Sequence, residues 1–288
     1  MTKAKLSEKI GYGFGDMSSS MFWKIFSYYL PFFYSNIFGL SLAHAGTLLL
    51  VTKLYDAISD PVMGLIADRT STRWGKYRPY LLWIALPFAI AGILAFYTPQ
   101  TDNYTFKHIY AYVTYILMMT VYTAINVPYG AMLGVVTDDS REKSVFSSFR
   151  MFFAFIGSFI SMGIFEPLLR LRSSIMGTLP EKWTIADSAP VDWTIALTVI
   201  GAICAILFFL TFAMTREHVT ESEMAKAEEN HKEEKKNSIM EDLKALFCNA
   251  PWWLLLGGGI SLLLFNCIRG GAAAYYFADV LGVKAIYT

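Results

Sequence analysis

The sequence predicts an all-α, multi-pass membrane protein, and three observations carry that expectation. Charged residues fill only 16% of the 288 positions, where a soluble domain carries about 25%. Hydrophobic residues reach 55% and the mean hydropathy is +0.42. Seven apolar runs approach or exceed the length a helix needs to cross a bilayer. The near balance of 24 Lys+Arg against 23 Asp+Glu excludes a nucleic-acid binder built on a basic surface. Three Cys make no disulfide framework, and Cys204 and Cys267 sit inside apolar runs.

The runs follow one another at 17–38, 45–67, 80–98, 109–136, 146–169, 194–214 and 252–279. Ahead of the first, Lys3, Lys5 and Lys9 precede no short apolar stretch ending in a small-residue cleavage site, so no removable signal peptide is expected. Pro31, Pro61, Pro87 and Pro128 fall within runs, which membrane helices tolerate better than soluble ones. Positive charge sorts the connections. One face holds the N-terminal lysines, Arg69, Arg73, Lys76 and Arg78, then Arg141 and Lys143, then Arg216, Lys226, Lys232, Lys235, Lys236 and Lys244. The other face holds only Lys107, Arg170, Arg172, Lys182 and Lys284. Positive residues stay inside, which predicts a cytoplasmic N-terminus in the cytoplasmic (inner) membrane.

Residues 170–193 form the long external connection, and Asn103-Tyr104-Thr105 matches a short glycosylation pattern. Between the sixth and seventh runs, Glu228, Glu229, Glu233 and Glu234 interleave with Lys232, Lys235 and Lys236, as in a solvated, partly helical connector. The expected organisation is therefore a six-helix transmembrane bundle at 1–215, a cytoplasmic charged linker at 216–250 and one further helix at 251–288.

Ionisable groups at bilayer depth cost at least about 2.5–3.5 kcal/mol, so each one asks for a reason. Lys53, Asp56 and Asp60 lie at spacings of three and four and so share one face of the second helix. Carboxylates at i and i+4 in a low dielectric do not both stay ionised without a counter-charge. Either Lys53 supplies part of it, or a bound cation or a proton does. Two carboxylates beside Ser59 suit a hard monovalent cation or a shared proton, and the opposing reading is a permanent Lys–Asp pair that only fixes packing. Arg150 opens the fifth helix with a fork suited to two sugar hydroxyls or to a carboxylate elsewhere. Tyr122, Thr123 and Asn126 lie on the fourth helix, with Pro128 and Gly130 allowing close backbone approach. Asp16, Lys24 and Arg269 read as structural, and Trp23, Trp83, Trp252 and Trp253 as belt or packing residues.

Catalysis is disfavoured. His44, His108, His218 and His231 form no cluster of metal-ligand spacing, and Gly257-Gly258-Gly259 lies in an apolar run rather than a phosphate loop. Buried carboxylates without a nucleophile or metal site point to transport, with no cofactor and no enzyme activity expected.

Several strings are family-specific. They are Tyr12-Gly13-Phe14-Gly15-Asp16, Gly46-Thr47-Leu48, the helix 2 string from Asp56 to Gly64, Asp68-Arg69-Thr70, the string from Arg73 to Pro79, Asn126-Val127-Pro128-Tyr129-Gly130, and Arg150. Together they resemble the glycoside–pentoside–hexuronide:cation symporters, the branch of the major facilitator superfamily that includes melibiose permease. The resemblance implies inward carriage of a sugar or glycoside with Na⁺ or H⁺ by alternating access between two six-helix bundles. It implies a cation site at Asp56 and Asp60 with help from Ser59 and Thr123, and a sugar contact at Arg150. It also implies a cytoplasmic gating loop comprising Asp68, Arg69, Arg73, Lys76 and Arg78. Ser20 and Asn126 stand where melibiose permease has the carboxylates that grip a galactoside, and Gly130 where it has a tryptophan. A different glycoside, pentoside or hexuronide is therefore expected, at a sugar site including Ser20, Tyr122, Asn126 and Arg150.

Family members have twelve helices. The resemblance accordingly implies a major-facilitator-type first bundle plus the seventh helix of an incomplete second one, with the partner half missing and the 288 residues inactive alone. The residues alone also admit a seven-helix ligand-binding receptor or sensor that binds without moving its ligand.

Overall fold

A computed structural model describes residues 4–101, 103–178, 180, 183–217 and 248–275, without the side chains of Leu42, Ala45, Leu49 and 266–275. The charged linker expected at 216–250 lies outside the described residues over 218–247, as does the end of the seventh run beyond 275. The chain divides into two compact units, 1–220 and 221–288.

The first unit holds α1 (Leu6–Phe32), α2 (Leu42–Asp68), α3 (Arg78–Trp83), α4 (Ala85–Ala95), α5 (Tyr104–Val136), α6 (Ser140–Ile175) and α7 (Pro190–Met214). The second holds α8 (Ala250–Tyr275), an apolar helix of 26 residues. The described helices match an all-α membrane fold, but their composition is uneven. Among the described residues, only α5, α6 and α7 are long and continuously apolar enough to cross a membrane by composition alone. α1 and α2 each have 27 residues, about 40 Å of rise. Asp16, Ser18, Ser19, Ser20 and Lys24 interrupt the first, and Lys53, Asp56 and Asp60 the second.

The third apolar run is broken into α3 and α4 at Ile84. Pro87 is the physical reason: it has no N–H to give the carbonyl of Trp83, and its ring crowds the preceding turn. Pro31 has a related effect near the end of α1, where the helix passes into a π-helical turn, Phe33–Ile37. Polar caps set other boundaries. Ser41 accepts from the His44 N–H, Asn103 from Phe106 and Asp139 from Arg141, each starting a helix. Asn103, which opens the glycosylation-like triplet, is thus the N-cap of α5.

α1 packs along α6 and α7, α4 bridges α5 and α7, and α2 leans on α5. An aromatic cluster closes one end, with the fully buried Trp193 ring 5.2 Å from Phe33, 5.6 Å from Phe165 and 6.0 Å from Phe96. Small residues bring α1 close to its neighbours. A Cβ on Gly15 would stand 2.5 Å from the Tyr129 ring, and one on Gly157 would stand 2.6 Å from the Met17 carbonyl oxygen. No described atom lies within 4 Å of a Cβ at Gly130, so the close approach expected there is absent among the described residues.

Candidate functional site

The α2–α5 contact is laced by polar pairs. The hydroxyls of Thr47 and Tyr112 lie 3.0 Å apart and those of Tyr55 and Thr120 2.9 Å apart. Thr123 donates to Asp60 Oδ1 at 2.8 Å. Interhelical hydrogen bonds of this kind hold membrane helices together where apolar burial gives no preference over lipid.

Beside this ladder lies a cavity of about 350 Å³ lined by Trp23, Lys53, Asp56, Asp60, Met119, Tyr122, Thr123, Asn126 and Val127. The i, i+4 spacing on α2 delivers both carboxylates to it, as the sequence anticipates. Lys53 Nζ bonds Asp56 Oδ2 at 3.1 Å and lies 4.7 Å from the Trp23 ring centroid. Asp56 Oδ1 is buried without a hydrogen-bond partner. One lysine therefore engages one oxygen of one carboxylate, and the remaining negative charge faces the cavity. Tyr122 lies beside the Trp23 ring at 5.4 Å between centroids, giving an aromatic wall. The Asn126 amide donates to the Tyr122 carbonyl at 3.1 Å, which leaves its own carbonyl oxygen without a described bond.

Three sequence-expected residues lie apart from this arrangement. Ser59 does not line the cavity, and its hydroxyl faces the Asp56 carbonyl at 3.4 Å. Ser20 and Arg150 do not line it either. Arg150 Nε donates to Asp16 Oδ2 at 3.0 Å, and its guanidinium lies 5.2 Å from the Tyr129 ring centroid. Asp16 is well inside α1 rather than at a helix end. Next to this pair, Tyr12 and Tyr129 stack at 4.7 Å, and each hydroxyl donates to the other's backbone carbonyl, at 3.2 and 2.6 Å. Arg150 thus fastens α6 to α1 on the same open stripe of α1 that carries Ser20, one turn from Asp16.

At the opposite end of α2, the loop to α3 is folded around Glu217. The N–H groups of Lys76, Tyr77 and Arg78 donate to the Glu217 carboxylate at 2.7, 2.8 and 2.8 Å. These are unpaired donors at the start of α3, where a negative charge is favoured. Gly75 meets two demands there: its φ is +114°, and a Cβ would stand 2.5 Å from Glu217. Arg78 donates to the carbonyls of Trp74 at 3.2 Å and Phe212 at 2.6 Å. Burial lowers its pKa while Glu217 opposes that shift. Asp68 accepts from Tyr77 Oη at 2.7 Å and pairs with Lys76 at 3.4 Å, and Arg73 stacks on Trp74 at 4.3 Å. Four of the five expected gating residues therefore have described partners within or beside the loop. Arg69 caps the end of α2 through its backbone N–H.

Residues 11–287 match the family described as MFS/sugar transport protein. The chain belongs to the MFS/sugar transport protein family. Its relatives include the inner membrane symporter YicJ of Escherichia coli, 35% identical over 98% of this chain and 56% of that protein. The uncharacterized symporter YnaJ of Bacillus subtilis is 36% identical over 95% of this chain and 55% of its own. The isoprimeverose transporter of Lactiplantibacillus pentosus is 32% identical over 94% of this chain and 52% of its own. The chain spans about half the length of these relatives. Members of the MFS/sugar transport protein family are multi-pass membrane transporters rather than enzymes.

Two structural partners escape a reading of the sequence. Glu217 lies where the sequence turns polar, so it reads as the start of the linker. Asp16 precedes the first apolar run by one residue and reads as a helix end. The signal for Asp16 is its i+4 spacing to Ser20 on one face of α1.

Proposed function

We propose that this chain supplies the first bundle of a cation-coupled sugar or glycoside symporter in the cytoplasmic membrane, with its N-terminus on the cytoplasmic side. The observation that carries the proposal is the Asp56–Asp60 pair facing a cavity, with Thr123 on Asp60 and an unpartnered oxygen on Asp56. Two carboxylate groups and a hydroxyl form an oxygen-rich set for Na⁺, and the same pair can hold one proton. Ser59 joins that set through a rotation of its hydroxyl away from the Asp56 carbonyl.

The sugar lies between the Trp23–Tyr122 wall and the open stripe of α1, with Ser20, Asn126 and Arg150 as hydroxyl partners. Coupling follows from linkage. A cation between Asp56 and Asp60 orders the α2–α5 contact and raises sugar affinity, and sugar raises cation affinity by the same factor. The doubly loaded state then favours closure. The loop from Asp68 to Arg78 acts as the cytoplasmic gate. Residues 1–215 serve as the six-helix bundle, 216–250 as the cytoplasmic linker and 251–288 as the opening of a second bundle. That second bundle completes the site, because carriers of this kind bind at the interface of two repeats near the midplane.

The experiment is uptake of labelled glycoside by cells or vesicles carrying the full-length protein. Asp56→Asn and Asp60→Asn each abolish the cation-dependent component. Unchanged uptake in both variants overturns the assignment.

A further inference from the structure

α1 turns two faces to its surroundings. Tyr12, Ser19, Phe22, Phe26 and Leu30 are buried in the bundle, whereas Asp16, Ser20, Trp23, Lys24 and Tyr28 form the accessible stripe. Lys24 stands 18 residues into the helix, about 27 Å from Leu6. Its neighbour Trp23 lines the cavity, with Lys53 Nζ 4.7 Å from the ring centroid, so Lys24 lies close to the depth of the acidic pair.

The three cations on this open surface are treated differently. Lys53 has Asp56 at 3.1 Å and Arg150 has Asp16 at 3.0 Å. Lys24 has the Tyr28 ring, 5.5 Å to the centroid, and no carboxylate within 4.0 Å among the described residues. An ammonium at bilayer depth is costly without a counter-charge and marks a substrate or ion path.

Charge balance says which counter-charge fits. Among the described residues, Lys24, Lys53 and Arg150 stand with Asp16, Asp56 and Asp60, so this bundle's share of the surface is neutral when nothing is bound. A coupling cation at Asp56 and Asp60 leaves one positive charge in excess. A neutral sugar leaves that excess in place, and a monoanionic one cancels it.

We propose that Lys24 is a specificity-determining residue of the substrate site and takes the anionic group, a carboxylate or sulfonate, of an acidic glycoside. The proposal rests on the symporter reading above and adds the substrate's charge to it. Trp23, which precedes Lys24 in α1, lines the cavity and lies 5.4 Å from Tyr122, so a ring against that aromatic wall sits one residue along the helix from Lys24. Entry of one cation with one monoanion is electroneutral, so the loaded carrier crosses without a net charge.

The test compares methyl β-D-glucuronide with methyl β-D-glucoside as competitors of uptake by the full-length protein in membrane vesicles. The wild type prefers the acid. Lys24→Gln weakens apparent affinity for the acid about tenfold or more, as loss of a charged hydrogen bond predicts, and leaves the glucoside within about threefold. Lys24→Arg keeps the preference. A wild type that takes up the glucoside with a cation but shows no preference for the acid overturns this assignment and leaves the symporter reading standing. Equal loss for both glycosides in Lys24→Gln also overturns it, since that is the signature of a structural partner. Absence of cation-dependent uptake for either glycoside overturns both.

Discussion

Thr123 on α5 donates to Asp60 on α2 across 2.8 Å, and this bond joins the two helices at the point where the acidic pair faces the cavity. The hydroxyl fixes the rotamer of Asp60 and withdraws part of its charge without neutralising it. Among the described residues Asp56 has no equivalent donor from α5, and its buried Oδ1 is left without a hydrogen-bond partner.

Removing the hydroxyl tests this geometry. Thr123→Val keeps the shape and loses the donor, and a hydrogen bond to a charged group contributes about 1.5–3 kcal/mol. Cation affinity in the full-length protein should fall about tenfold or more, while Thr123→Ser stays near wild type. Titration of sugar binding against Na⁺ concentration and pH reads the effect. Equal cation dependence in both variants would show that Thr123 serves packing alone.

The Asp16–Arg150 pair gives a second test. The two residues belong to one unit across α1 and α6, so the loss from Arg150→Ala includes exposure of an unpaired Asp16 carboxylate. Asp16→Asn/Arg150→Ala should be less impaired than the sum of its single variants, with a coupling of about 0.5–3 kcal/mol in thermal stability. Arg150→Ala should weaken sugar binding and leave cation binding nearly intact. Additive stability losses would dissolve the pair, and unchanged sugar affinity would remove Arg150 from the sugar site.

The parts legible in the sequence are those governed by local periodicity. Asp56 and Asp60 declare a shared face because they lie one turn apart in a largely apolar run, whereas Pro87 reads as a proline tolerated within one span and the structure breaks the helix at Ile84. What stays hidden depends on contacts distant in sequence. Asp16 meets Arg150 across 134 positions, and Glu217 meets the Gly75–Arg78 turn across about the same separation. Hydropathy alone starts the first helix at Met17, whereas α1 begins at Leu6, because its early turns are packed through Gly11, Tyr12, Gly13 and Gly15 rather than by an apolar run. Arg150 is singled out by its place at the start of the fifth run and the cation role of Thr123 by family resemblance, while the identity of their partners, Asp16 and Asp60, emerges only from the folded chain.

The Glu217 contact ties the end of the first bundle to the loop between α2 and α3. Glu217→Ala deprives three backbone N–H groups of their acceptor at once, and leaving even one such donor unsatisfied costs about 1–3 kcal/mol. Trypsin should then cut after Arg73 and Lys76 markedly faster than in the wild type, and the melting temperature should fall. Glu217→Gln, which keeps one acceptor oxygen, should lie between the two. Identical digestion rates for wild type and Glu217→Ala would show that the loop holds its shape by the Thr72–Gly75 turn alone.

Gly157 offers the cleanest test of helix packing. A Cβ there would meet a backbone atom, the Met17 carbonyl oxygen at 2.6 Å, and a backbone oxygen cannot swing away as a side chain can. Gly157→Ala must therefore push α1 from α6, and overpacking of this kind costs about 1–3 kcal/mol. Gly163, on the same helix, has no described atom within 4 Å of the added carbon. Gly163→Ala should be neutral or stabilising by up to about 1 kcal/mol, through the better helix propensity of alanine. The comparison holds helix, chemistry and added volume constant, so only the neighbour differs. Melting of the purified protein in detergent should show Gly157→Ala well below wild type and Gly163→Ala at or above it. Equal stability of the two variants would mean that α1 and α6 do not approach as closely as the Met17–Gly157 contact requires.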